Sequence, residues 1–227
     1  MGAGRSYGER HGRAFGGWLV LMALGYAVFH HAGTIFASLG DVGGTGTRWA
    51  DWVDIATPFV VTGAVAGALR GGGASRSVWA LFWFAAIVYT EGHGIHLAAN
   101  SIGNAALRQS EPTYLWDEHV GHYLWYAGFF LLVAALAMAL ADRRMRGGIG
   151  AHVLAMLVGI TTFTNVVEGQ TAWFGLAVAA VLVCWGLLTR DGMGRLLITA
   201  YGTALVLLVG FGLWQQGFPE FTTLGWI

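Results

Sequence analysis

Seven apolar stretches, each close to the length needed to cross a bilayer and joined by short polar links, leave this chain little choice of fold. A helix crossing hydrocarbon needs about 20 mostly apolar residues. Residues 15–38, 52–70, 77–104, 113–141, 149–168, 171–189 and 194–215 qualify. The links are rich in Gly and Arg and leave no room for a second domain. The pattern predicts one all-α, seven-transmembrane-helix bundle over residues 1–227, a multi-pass protein of the cell membrane.

Composition agrees. Residues are 56% hydrophobic and 11% charged, against about a quarter charged in a soluble domain, so there is too little polar surface to cover a water-soluble particle. Net charge is zero and no basic tract exists that would serve nucleic acid. Lysine is absent, which argues against a Schiff-base retinal protein. The single cysteine, Cys184, excludes an intrachain disulfide and thiolate clusters, and reads as a small core residue. Arg5, Arg10 and Arg13 imitate the basic region of a signal peptide. The apolar run that follows is long and lacks a small-residue cleavage site, so it reads as a retained first helix. Gly63 and Gly67 form a small-xxx-small pair of the kind that lets helices approach closely in lipid.

Orientation follows from arginine. If the seven helices alternate, Arg5, Arg10, Arg13, Arg70, Arg76, Arg143, Arg144, Arg146, Arg190 and Arg195 fall on one side, and only Arg48 and Arg108 on the other. Ten against two makes the first side cytoplasmic. The amino terminus is then cytoplasmic and the carboxyl terminus extracytoplasmic.

On that topology the polar residues are one-sided. Nine of twelve acidic residues and six of eight histidines lie in outer loops or outer helix halves. Ionisable groups inside a bilayer are costly and usually face the bundle interior or a water-filled cavity. The asymmetry therefore predicts a site opening outward.

Two motifs focus the expectation. The third stretch carries Glu91-Gly-His93-Gly-Ile-His96 and then Asn100; the fourth carries Asp117-Glu118-His119-Val-Gly-His122. Residues three apart share a helix face. At about 100° per residue, Tyr89, His93, His96 and Asn100 form one stripe, and Glu118, His119, His122 and Tyr126 another. With an outer turn centred near Arg108, both histidine pairs sit roughly 15–20 Å along their helices from it. Antiparallel neighbours would hold four imidazoles at a common height.

A single His-x-x-His is often structural glue between helices, but two at matched depth beside carboxylates predict a transition-metal site. His93, His96, His119 and His122 are the expected ligands of iron, copper or zinc, one or two ions. Glu118 is a ligand or general base. Glu91 and Asp117 point away from their own histidine stripes and read as supporting carboxylates. Tyr89, Asn100 and Tyr126 complete the lining. Asn165, Glu168, His30 and His31 join only if their helices pack nearby. His152 reads as interfacial, Asp41, Asp51 and Glu220 as solvated charges, and Trp49, Trp52, Trp116, Trp173 and Trp214 as an interface belt.

Seven spans, small size and intramembrane His and Asp resemble, in architecture alone, the alkaline ceramidase and progestin-adipoQ receptor superfamily of membrane zinc hydrolases. That family carries a His-x-x-x-His pair in its last span. The seventh stretch here has no histidine, so no residue role is carried over.

The leading expectation is a metal-dependent membrane enzyme acting on a lipidic or apolar substrate, hydrolytic with zinc or oxygenase-type with iron or copper. Its partners are membrane lipids, with an oligomer or partner subunits left open. Three alternatives stand beside it. One is haem held between histidines of the two helices, for electron transfer. Another is a non-catalytic cation or proton transporter or receptor. The last is a metal-free cyclase or isomerase using Asp and Glu.

Overall fold

The computed structural model describes residues 3–106, 110–141, 143, 145 and 148–226, with side chains from Phe15 onward except those of Ala37 and Asn104. The side chains of Arg5, Arg10 and Arg13, together with Arg108, Arg144 and Arg146, on which much of the orientation argument rests, lie outside the described residues.

The described residues are helical, apart from an isolated bridge between Asp41 and Arg48. Helix α1 (Ala3–Phe29) leads into a short α2 (Ala32–Ile35), and a loop then reaches α3 (Trp49–Asp54), followed directly by α4 (Thr57–Gly72). After the left-handed Gly73, Ser75 caps α5 (Arg76–Ala105) through its side chain. A short α6 (Glu111–Tyr114) runs through a π-helical turn, Leu115–Gly121, into α7 (His122–Leu140). Helices α8 (Ile149–Glu168), α9 (Ala172–Thr189) and α10 (Gly192–Gln215) complete the bundle. Asp191 caps α10 by accepting from the Gly194 amide.

Among the described residues, five helices are long and apolar enough to cross a membrane: Trp49–Gly72, Glu111–Leu140, Ile149–Glu168, Ala172–Thr189 and Gly192–Gln215. Phe15–Phe29 is a shorter apolar segment. Helix α5 is longer than any of these five except Glu111–Leu140 but is not among them. Its second half carries Thr90, Glu91, His93, His96, Asn100 and Ser101.

Packing places α5 along α7, α1 along α4 and α8, and α10 between α8 and α9. The α5–α7 contact is made by glycine. A Cβ at Gly92 would overlap the Trp125 backbone, and one at Gly128 would overlap the Tyr89 backbone. At Gly121 it would come within 2.9 Å of His96 Cα. Close backbone approach is how helices associate where lipid supplies no hydrophobic drive, and here it sets the distance between the two histidine helices. The small-xxx-small pair behaves unevenly: Gly67 lies against the Trp18 ring, whereas Gly63 faces open space.

Two expectations about burial differ from the structure. Cys184 is exposed on α9 rather than buried, since α9 turns only a narrow stripe inward (Gly175, Ala179, Leu182 and Gly186). Asp51 is buried, and Arg48 grips it through Nη2 at 2.6 Å and Nε at 3.1 Å. A charge is buried at low cost only when paired and hydrogen-bonded in this way. Trp49, Trp52, Trp116, Trp173 and Trp214 all lie exposed.

Candidate metal centre

Helix α5 offers His93 and His96 on one face. Opposite them, the π-turn changes which residues of the next segment share a face. In an α-helix, residues five apart do not align; an i→i+5 turn stacks them. Asp117 and His122 are thereby turned to one side, against α5. Asp117, which α-helical spacing directs away, is 3% exposed, and His96 Nδ1–H donates to its Oδ1 at 2.6 Å. His122 is 6% exposed, with its ring 4.3 Å from that of His96. One ligand atom from each of His96, Asp117 and His122 lies within 4.8 Å of the other two. This buried group could hold a metal ion.

The neighbouring carboxylates follow the same logic. Glu118 Oε2 lies 3.2 Å from His122 Nδ1, yet both atoms are buried without a hydrogen-bond partner. His93 Nε2 is likewise buried and unpartnered, 3.2 Å from Asp54 Oδ1. Buried polar atoms are seldom left unpaired. A cation accepting lone pairs from Glu118 and His122 would satisfy both, so the donor set fits a metal.

The other expected residues are spread more widely. His119 is exposed, its ring edge-on to Tyr114 and outside the group. Glu91 is exposed on α5. Tyr89 is fully buried and accepts a 2.7 Å hydrogen bond from His30 Nε2–H. Tyr126 stacks on His122 and donates to the Asn165 carbonyl at 2.9 Å. Asn100 lines the adjoining cavity.

That cavity, of about 180 Å³, opens where the ends of α1, α3, α5, α7 and α8 converge. His96 and His122 line it, and so do His30, His31, Asp54, Asn165 and Glu168. The role of His30 is the clearest. Asn165 Nδ2 donates to its Nδ1 at 2.7 Å, which fixes the proton on Nε2 and ties α1 to α5 and α8. His31 Nδ1–H donates to the Ala27 carbonyl, and its Nε2 meets Thr164.

Three features were beyond sequence spacing. Trp125 is the hub of the histidine set: His30, His96 and His122 stack with it at 4.5, 4.9 and 6.1 Å, and His93 meets it edge-on at 4.9 Å. Its only signal was its position three residues after His122. Asp54 reaches His93 from α3, a contact no local spacing announces. Finally, the carboxyl-terminal segment folds back over the bundle end. Glu168 accepts from the Phe221 amide at 2.8 Å and the Thr222 hydroxyl at 2.7 Å, and Phe221 joins the cavity wall. Beside this strap, burial together with the charges of Glu118 and Glu168 raises the Glu220 carboxyl above its ordinary value.

Among the described residues, fold and site together define an all-helical protein with five helices suited to a membrane and a buried His–Asp–His group that could hold a metal ion. No protein-family model, curated protein or solved structure matches the chain.

Proposed function

We propose that this chain is a multi-pass membrane metalloenzyme, with α1 and α5 completing a seven-span bundle and the metal centre in its outer half. His96, Asp117 and His122 hold the ion. The observation that carries this reading is their convergence within 4.8 Å inside a protein with apolar, membrane-length helices. Two imidazoles and one carboxylate are the donor set of zinc hydrolases and of non-haem iron oxygenases. Bound there, such an ion supplies Lewis acidity or redox chemistry.

The chain's own residues supply the rest. Glu118, with a buried and unpartnered oxygen beside His122, is the general base or a further ligand. The glycine contacts of α5 with α7 hold the two imidazoles at working distance, and the cavity admits the polar end of a lipidic substrate. His119 takes no part. Metal bound directly is favoured over haem, because rings 4.3 Å apart leave no room for a porphyrin between them.

The test is turnover. Purified protein in lipid nanodiscs, incubated with an outer-leaflet lipid panel under air, should convert at least one component. Chelation should stop the conversion and Glu118→Gln should slow it by about a hundredfold. Conversion that survives chelation would refute the metal-dependent reading.

A further inference from the structure

The charge lining the cavity exceeds what a metal ion can balance. Asp51, Asp54 and Glu168 line it with a single guanidinium, Arg48, whose charge is spent on Asp51. A divalent ion at the proposed centre is offset by Asp117 and Glu118, which leaves Asp54, whose cationic neighbour is the His93 imidazole at 3.2 Å, and Glu168 as two carboxylates that no arginine faces. His30 cannot neutralise them, since its Nδ1 accepts from Asn165 and the ring is therefore neutral. Glu168 accepts from neutral donors, the Phe221 and Thr222 amides and the Thr222 hydroxyl. Such a pocket awaits a cation.

The remaining walls say which kind. Phe29, Trp125, Tyr126 and Phe221 face the same space. A metal ion is held best by oxygen and nitrogen donors, whereas an alkylammonium is attracted to ring faces within about 6 Å and keeps its methyl groups out of water. The volume of about 180 Å³ corresponds to roughly six waters, enough for a small ammonium head. His122 lines this space with its Nδ1 buried and unpartnered, so a head seated here lies directly beside the proposed centre.

We propose that the cavity binds an ammonium head group, seated beside its lining aromatic rings between the carboxylates of Asp54 and Glu168, and that substrates of the metal centre carry this group. The binding half stands on the cavity alone; the substrate half rests on the metalloenzyme reading.

The experiment is a calorimetric titration of the full chain in nanodiscs with choline, its uncharged isostere 3,3-dimethylbutan-1-ol, and dodecyltrimethylammonium. Choline should bind at least about tenfold tighter than the isostere. Asp54→Asn, which keeps side-chain shape, should remove most of that margin, and Glu168→Gln serves as a second variant should the first not fold. Tighter binding of dodecyltrimethylammonium, also lost in Asp54→Asn, identifies a membrane amphiphile as the source; equal affinity identifies a soluble ammonium compound. Equal affinity for choline and the isostere, or no binding of either, overturns the proposal. Elemental analysis of the titrated wild-type sample separates the two readings. A charge preference in protein that carries no transition metal, with or without added zinc or iron, leaves the cavity assignment standing and removes the metalloenzyme.

Discussion

His96 Nδ1 donates to Asp117 Oδ1 at 2.6 Å, and this one bond joins α5 to the π-turn that begins the α7 segment. Both groups are largely out of water, so losing either partner strands the other. Asp117→Ala should cost about 3 kcal/mol of stability, in the range for a broken buried pair. Asp117→Asn keeps an acceptor for the His96 N–H and should cost less than half of that. Thermal unfolding in nanodiscs reads the difference. Equal losses would mean the bond contributes little.

Glycine contacts between α5 and α7 predict a positional contrast. Gly128→Val places methyl groups against the Tyr89 backbone and should destabilise by about 1–3 kcal/mol through overpacking, with weakened metal binding as the imidazoles separate. Gly63→Ala meets open space and should fall within about 0.5 kcal/mol of wild type. Melting temperature and metal content of the two variants check this together.

Much of the architecture was legible in the sequence because lipid imposes a simple rule on helix length and polarity. Long apolar runs became long helices, and His-x-x-His in the third stretch placed His93 and His96 on one face. The centre was less legible at Asp117 and His119 for one physical reason. Angular bookkeeping assumed an α-helix where Leu115–Gly121 forms a π-turn, and an i→i+5 turn redistributes which residues face inward. His30, Asn165, Asp54 and Glu168 reach the cavity from three other places, the end of α1, α3 and α8, through tertiary packing that spacing along one helix does not encode.

The carboxyl-terminal strap depends on one carboxylate. Glu168→Ala removes the acceptor of the Phe221 and Thr222 amides and of the Thr222 hydroxyl. Hydrogen bonds to a charged acceptor are worth about 1.5–3 kcal/mol each. Amide exchange at Phe221 and Thr222 should therefore quicken at least about tenfold, with little change in the buried half of α7. Unchanged exchange would show that the aromatic packing of Phe221 on Phe163, Phe211 and Trp226 holds the strap unaided.

Glu220 gives the pH dependence. Its carboxyl is raised in the fold, first by burial and then by Glu118 and Glu168. A raised group favours the fold while protonated, and that contribution is lost as pH rises through its folded value. Glu220→Gln should therefore be more stable than wild type at pH 7.5, and the gain should vanish below about pH 4, where unfolded glutamate is also protonated. Paired melting curves at the two pH values decide it; a gain that persists in acid would point to a packing effect.

Metal stoichiometry by elemental analysis reaches furthest, with wild type, His96→Ala/His122→Ala and His119→Ala purified side by side in the folded state. Wild type and His119→Ala should each carry about one transition-metal ion per chain, and the double variant less than about a tenth of that. Undiminished metal in the double variant, or its loss in His119→Ala alone, would contradict a centre built from His96, Asp117 and His122.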